Sequence, residues 1–468
     1  MLRYLSFFSI VLLVFSGTSY AQAIEENPHL VFHWEDTSLP GSFAFNNTYN
    51  EVWGFVQNDR EYAVIGSTAG THIFDLTDTI NIYQVAFIEG EVTGGDIIHR
   101  DYHDYKGYLY IVADEGPSTL QIVDLTNLPF SADVVYNSDE LFTRSHNIFI
   151  DTTNAILYAC FTAHTNNTSS GMEVFSVQNP TNPQWISEFN TAGVHDVYVR
   201  DNIAYLNIGQ EGFVIADYSN PADPIILGSL SEYSSFGQGY NHSGWLTEDG
   251  NYYVFADENH GLPLKVCAVS NYDDLQILST FSSDISSNSI VHNVIIKDKY
   301  AFVSHYHDGL QVFDISNPLS PTKVSSYKTY EPNDHTSYRG AWGVYPNLPS
   351  GLILVSDMQY GLFVLNAGLG VNTATAIASS TAPTLPFEAT VYPTVSKGMV
   401  QLDIAVTTPQ TVEIALFNVH GQQVYSQQLL VQQGQQTVPL NLQSLPKGQL
   451  LLKVGNKTHS WNNKIVHL

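Results

Sequence analysis

The chain has 468 residues, with 17 Lys and Arg against 45 Asp and Glu and a formal net charge of −28. Residues 22–386 carry 11 basic and 42 acidic side chains, a field that argues against nucleic acid and against an anionic membrane surface as partners. Plentiful Tyr (28), Phe (24), Gly (32) and Pro (20) with few charges suit short strands and tight turns, and the length allows two or three domains with ample cores.

At the N-terminus, Arg3 precedes the apolar run Tyr4–Phe15, and Ser19-Tyr20-Ala21 offers small residues at both positions of a cleavage site. Residues 1–21 are read as a secretory signal peptide, and the apolar run is too short for a membrane span. No other segment reaches spanning length, so the mature protein is expected to be exported without a transmembrane segment. The next apolar segment, HLVFHWE from His29 to Glu35, has no partner nearby in sequence.

From Thr71 a short cassette recurs: an apolar strand that usually ends in Asp or a small polar residue, often followed by Asn-Pro. It reads THIFDLTD from Thr71, LQIVDLTNLP from Leu120, MEVFSVQNP from Met172 and FVIADYSNP from Phe213. It continues as LKVCAVSN from Leu264, LQVFDISNP from Leu310 and LFVLN from Leu362. A unit of this size cannot bury its own faces, so copies at roughly fifty-residue spacing call for a closed array. The sixth repeat parses into four strands, HNVIIKD (292–298), YAFVSHY (300–306), LQVFDIS (310–316) and TKVSSYKT (322–329), separated by turn residues. The predicted fold is therefore all-β: a seven-bladed β-propeller over 22–366. Because the last repeat stops after its third strand at Asn366, His29–Glu35 is expected to supply its outer strand and close the ring. Cys160 and Cys267 fall in non-neighbouring repeats and are expected to be separate buried thiols.

Residues 367–386 form an uncharged Thr/Ala/Ser/Gly/Pro-rich stretch read as a linker, except that Glu388 lies just beyond it. Residues 387–468 carry strand patterns separated by turns at Pro393–Gly398, His420-Gly421 and Pro446-Lys447-Gly448, which predict a small Ig-like β-sandwich. The segments YPTVSKGMV, FNVHGQQV, LNLQSLPKG and the terminal KIVHL resemble the C-terminal sorting domain of the type IX secretion system of Bacteroidetes. That family usually has Asn-Pro where this chain has Thr394-Val395. The resemblance implies the type IX secretion machinery as partner and delivery to the outer-membrane surface or the exterior. Residues 22–366, through segments such as RDYHDYKGYLYIVADEG, VHDVYVRDNIAYLN and VHNVIIKDKYAFVSHYHDGLQVFDISNP, resemble the choice-of-anchor B family with LVIVD-type repeats. This resemblance carries a fold and a location but no reaction.

A second period lies in the first strand of each repeat. Alignment gives Val52, Arg100, His146, His195, His242, His292 and Ala341, each followed in turn by Trp53, Asp101, Asn147, Asp196, Ser243, Asn293 and Trp342. In a propeller this strand lines the channel, so four imidazoles in consecutive blades form an arc at one mouth. Arg100 extends the arc as a candidate anion ligand, and Trp53 and Trp342 stand opposite as candidate ligand-binding residues. Converging imidazoles can hold a transition metal such as Fe, Cu or Zn. In arrangement only, one His from each of four blades resembles the non-haem centres of carotenoid oxygenases and of selenium-binding-type methanethiol oxidases. Asp196, Asn147 and Asn293 are candidates for orienting the ligating rings. His305 and His307, on one side of an extended strand, are candidate auxiliary ligands. A carboxylate-rich rim is expected from the turns after the second strands, including Asp114-Glu115, Glu211, Asp257-Glu258 and Asp357. Equally, a recurrent His–Asn/Asp pair can be a structural network between blades.

Two functions are compatible with these features. One is an exported binding or interaction module for a surface or extracellular ligand. The other is a metal-dependent enzyme built on the four His. The first is favoured and the second kept as the alternative, because a ring of repeats explains the sequence regularities without a reaction, and the sequence has no Gly-x-Ser-x-Gly elbow, phosphate loop, dinucleotide fingerprint or HExxH helix.

Overall fold

The computed structural model describes residues 28–190, 193–332, 334–367, 387–406, 409–418, 423–455 and 460–468. The expected signal peptide, nearly all of the expected linker and the His420-Gly421 turn lie outside these residues. Among the described residues there is no α-helix, only a 3-10 turn at Ser234–Phe236. None of the helical segments is long and apolar enough to cross a membrane.

Seven four-stranded antiparallel sheets make a seven-bladed propeller. Their innermost strands are Tyr49–Gln57 in blade 1, Arg100–Tyr105 in blade 2, Asn147–Asp151 in blade 3 and Asp196–Arg200 in blade 4. Blades 5, 6 and 7 begin with Asn241–Leu246, Val294–Lys297 and Ala341–Tyr345. Each of these strands packs on the next, and that of blade 7 packs on that of blade 1, so the array is closed. Closure is equally visible in the packing. Seven apolar clusters each join two adjacent blades, for example Val197, Val199 and Leu206 of blade 4 against Tyr158, Cys160 and Val174 of blade 3. The corresponding cluster between blades 7 and 1 holds Leu354, Leu362 and Val364 with Val52, Ala63 and Phe74.

The cassettes are the third strands, buried on both faces, as in Leu310–Asp314, where Leu310, Gln311, Val312 and Phe313 are all buried. Strands covered on both sides need unbroken apolar runs, and this is what repeats. The terminal Asp has its own cause. Its carboxylate accepts the backbone N–H two residues on, from Thr77 to Asp75 (3.0 Å), Thr126 to Asp124 (2.8 Å), Ser219 to Asp217 (2.7 Å) and Ser316 to Asp314 (2.9 Å). These Asx turns start the connection to the outer strand. A register shift then follows in the same place in every blade, at Ile73/Phe74, Ile122/Val123, Val174/Phe175, Ile215/Ala216, Val266/Cys267 and Val312/Phe313. In blade 7 the outer strand is His29–Trp34, antiparallel to Gly361–Asn366, with its shift between Leu30 and Phe32. Trp34 packs on Tyr49, His72 and Phe74 of blade 1, with centroids 5.6, 4.6 and 5.0 Å away. Cys160 and Cys267 are buried free thiols.

The C-terminal unit is a β-sandwich. A three-stranded sheet (Phe387–Tyr392, Met399–Val406, Gly434–Asn441) faces a five-stranded one that includes Gln410–Asn418, Gly448–Gly455 and Ser460–His467. Alternating apolar residues from both, such as Val400, Leu402 and Ile404 with Val412, Ile414, Leu450 and Leu452, form its core.

Candidate functional site

The inner strands bring side chains of three kinds to the axis, one layer above another. At one mouth, six aromatic rings close a circle: His99, His146, His195, His242, His292 and Trp342. Their successive centroid separations are 4.8, 4.2, 4.1, 4.5 and 4.3 Å, and Trp342 returns to His99 at 5.4 Å. The four histidines and Trp342 aligned from the sequence are all in this circle.

Arg100 is not. It pairs with Ala113 in the ladder, and strand alternation turns it away from the axis, where it is 1 % exposed. Its guanidinium donates to the carbonyls of Ser67 (2.9 Å) and Val92 (2.6 Å), so it is a strut between blades with no free face for an anion. The preceding residue, His99, takes its place. One signal was available: His99 lies 47 residues before His146, the same interval as His195 to His242.

Backbone carbonyls of the neighbouring blade orient two of the rings. His195 Nδ1 donates to the His242 carbonyl at 3.2 Å, and His292 Nδ1 to the Trp342 carbonyl at 2.6 Å. A carbonyl can only accept, so Nδ1 carries the proton in both and Nε2 is left with its lone pair. Burial holds His195, His242 and His292 well below the usual imidazole range and pushes His99 down to about 3. His146 differs. Burial disfavours its charge, but Asp114 Oδ2 at 2.8 Å reverses the balance and raises it above the ordinary value.

Beneath the rings lies a hydrogen-bonded polar layer. Asn147 Nδ2 donates to Asp196 Oδ1 at 2.8 Å, and Asn293 Nδ2 to Glu51 Oε2 at 3.0 Å. Asp101 accepts the Ile148 N–H at 2.7 Å, and the Ser243 hydroxyl donates to the His292 carbonyl at 2.8 Å. Asp196, Asn147 and Asn293 therefore bond within this layer and not to the imidazoles they were expected to orient. Burial pushes Glu51 up to about 8, Asp196 to about 7 and Asp101 well above the carboxylate range.

The third layer is aromatic. Tyr345, Trp53, His103, Phe149, Tyr198 and Trp245 touch in sequence at 4.8, 4.7, 5.2, 5.5 and 4.5 Å. Trp53 belongs here, its indole N–H on Asp104 at 2.9 Å, two layers below the ring it was expected to face.

His305 and His307 also go elsewhere. The turn between them is tight, with Tyr306 at φ 38°, so the tyrosine enters the channel and the two imidazoles leave it. Tyr306 stands edge-on to His292 at 5.2 Å and donates its hydroxyl hydrogen to Glu258. His305 lies 3.3 Å from Asp308, which also holds His335 at 2.6 Å and the hydroxyls of Ser283 and Ser289 at 2.6 Å each. His307 meets Asp334 at 2.9 Å. These residues form a separate polar cluster outside the ring.

Around the mouth, Asp114 and Glu258 come from turns after second strands, where carboxylates were expected. Beside His146 and His195 opens a pocket of about 860 Å³, lined also by Asp114, Glu115, Arg144 and Tyr240. Tyr240 stands edge-on to His195 at 5.2 Å.

Residues 390–467 match the secretion system C-terminal sorting domain, and residues 193–231 and 290–329 match the LVIVD repeat. The chain thus combines LVIVD repeats in a propeller with a C-terminal sorting domain, the tag of export by the type IX secretion system to the cell surface or beyond. Among solved structures, it is similar to the β-propeller domain of Cps50 (Swd1) from Myceliophteria thermophila, at 10 % identity and TM-score 0.49, covering 72 % of this chain and 99 % of that one. A Lactobacillus plantarum protein matches at 11 % identity and TM-score 0.48, covering 83 % and 99 %. No curated protein matches the chain in sequence.

Proposed function

We propose that this protein is an exported binding module whose ligand site is the imidazole-ringed mouth of the propeller, with residues 387–468 serving as its delivery tag. The observation that carries the reading is the pocket of about 860 Å³ that opens onto His146 and His195. Its size suits a small molecule. Its walls combine carboxylates (Asp114, Glu115), hydroxyl and imidazole groups, and the aromatic faces of Tyr240 and Phe161. With 11 basic against 42 acidic side chains in residues 22–386, the ligand that fits is polar and neutral or cationic, bearing hydroxyl or amine groups. The two imidazoles that border the pocket are fixed by hydrogen bonds, His146 to Asp114 Oδ2 at 2.8 Å and His195 to the His242 carbonyl at 3.2 Å, so the site needs little reorganisation on binding.

The test is thermal denaturation of the mature chain against monosaccharides, amino acids and polyamines at millimolar concentration. A ligand that raises the midpoint of the wild type is expected to bind at least tenfold more weakly to Tyr240→Ala and Glu115→Gln. Stabilisation by no member of the panel, or affinity unchanged in both variants, would overturn the proposal.

A further inference from the structure

We propose that His242, His292 and Glu258 bind one divalent transition-metal ion, of the zinc or iron(II) kind, on the blade 5 and 6 side of the ring, next to the His195 and Tyr240 wall of the mouth pocket. Each of the three offers a donor atom, and these atoms lie within 4.8 Å of one another, the one such convergence of three His, Cys, Asp or Glu among the described residues. Of the four imidazoles aligned from the sequence, this set keeps two and adds a carboxylate from the turn after the second strand of blade 5.

Each donor is prepared for the role. His292 commits its Nδ1 proton to the Trp342 carbonyl at 2.6 Å, which fixes the ring and leaves Nε2 as the ligand atom. Glu258 receives the Tyr306 hydroxyl on Oε1, while Oε2 faces His242 Nε2 at 3.6 Å. One carboxylate oxygen is thus used for orientation and the other is free to bind. His242 is the least satisfied of the three. It is 4 % exposed, its Nδ1 has no hydrogen-bond partner, and its separation from Glu258 is too long for a hydrogen bond. Neither ring nitrogen is thus hydrogen-bonded, and an ion would give Nε2 a partner while Nδ1 keeps the ring proton.

The closest donor pair is already near the separation an ion requires, and the other two pairs, within 4.8 Å, would close toward it. Donors held about 2.0–2.2 Å from zinc at tetrahedral angles stand roughly 3.3 Å apart, so the 3.6 Å pair needs to close by only a few tenths of an ångström. Two imidazole nitrogens and one carboxylate oxygen suit zinc or iron(II) and leave coordination positions open, whereas calcium and magnesium prefer all-oxygen sets. Glu258 keeps 19 % of its side-chain surface exposed, which gives the ion an approach. Tyr306 is the positioning residue. Its backbone occupies the left-handed region at φ 38° and is pinned by reciprocal bonds with Ala341, N to O at 3.1 Å and O to N at 2.9 Å. A non-glycine residue held there is a strained element that the surrounding structure keeps in place. The other close His–carboxylate contacts near the channel, such as His146–Asp114, are two-member pairs whose partners already satisfy each other.

The proposal goes beyond the binding reading and stands apart from it, because its assay uses the metal alone and no organic ligand. The untagged mature chain is stripped with chelator and titrated with zinc chloride by calorimetry. One equivalent is expected to bind. Affinity is expected to fall at least a hundredfold in His292→Ala and in Glu258→Gln, about tenfold in Tyr306→Phe, and not at all in His164→Ala, which removes an imidazole paired with Glu173 at 3.1 Å in blade 3. Circular dichroism and the melting midpoint show whether each variant folds. A wild-type measurement guards against variants that do not: zinc K-edge absorption fine structure is expected to count two imidazoles with one or more oxygens. No stoichiometric zinc, zinc affinity insensitive to Glu258→Gln, or a count of none or four imidazoles would overturn the assignment.

Discussion

The buried pair between Lys265 and Asp257 supports the strand that presents Glu258, and removing one partner tests how it does so. Both side chains are 0 % exposed, and the ammonium contacts Asp257 Oδ2 directly. Asp257 Oδ1 accepts the Tyr233 hydroxyl at 2.8 Å. Burial lowers the Lys265 value, and the neighbouring carboxylate opposes that shift. Lys265→Met fills the space of the stem but leaves a buried carboxylate with a single phenol as partner. The expected cost is about 3–5 kcal/mol, the range for breaking a buried pair from one side. Unfolding entropy of about 2.1 cal/mol/K per residue over roughly 340 propeller residues gives about 0.7 kcal/mol/K, so the midpoint should drop about 4–7 °C in scanning calorimetry. The double change Lys265→Met with Asp257→Leu removes both charges and strands only the Tyr233 hydroxyl, worth about 1–3 kcal/mol. It should therefore be no less stable than either single variant, a coupling of about 2 kcal/mol or more. Losses that simply add, or a Lys265→Met variant within 1 kcal/mol of wild type, would refute this account of the pair.

Four further outcomes are expected. Trp34→Ala, which strips the closing strand of its packing on Tyr49, His72 and Phe74, should lower stability by about 2–3 kcal/mol in urea denaturation, against less than about 1 for the exposed Trp185→Ala. Asp217→Ala loses the Asx turn to Ser219 and should cost about 0.5–1.5 kcal/mol by the same assay. Glu51 has a folded value of about 8 against 4.5 for an ordinary Glu, so its contribution is complete below pH 4.5 and lost as pH rises through 8. Asp101 and Asp196, in the same layer, act in the same direction. Urea midpoints should thus fall between pH 5 and 8, at up to about 1.4 kcal/mol per pH unit per group, and Glu51→Gln should flatten the slope. Deletion of 387–468 should leave the propeller in the periplasm; surface labelling of that truncation at wild-type levels would contradict the role of the tail.

The propeller was legible because each cassette has two local causes that repeat, an apolar run for a doubly covered strand and an Asp for the turn behind it. The ring was less legible because its register depends on irregular pairing. Register shifts fall within the inner hairpins of blades 1, 5 and 7, at Tyr49/Val52, Asn241/Ser243 and Ala341/Val344. One extra residue moves a side chain to the other face, which puts Trp53 of blade 1 in another layer. The inner hairpin of blade 2 is regular, and there His99 faces the axis one residue before the Arg100 that the alignment chose. Tyr306 had no sequence signal, since a tyrosine in the left-handed region is chosen by its tertiary partners and not by turn preference. Glu258 was visible as a rim carboxylate, but its meeting with His242 and His292 depends on the pitch of two blades.

The central claim is that the imidazole-ringed mouth is where this propeller meets its ligand. Crystals of the mature chain soaked with a panel of small polar fragments test it most directly. Bound fragments should gather between His146, His195 and Tyr240. Fragments collected instead in the outer groove lined by Phe87, Glu89, Gln121 and Asn137, with the mouth empty, would contradict it.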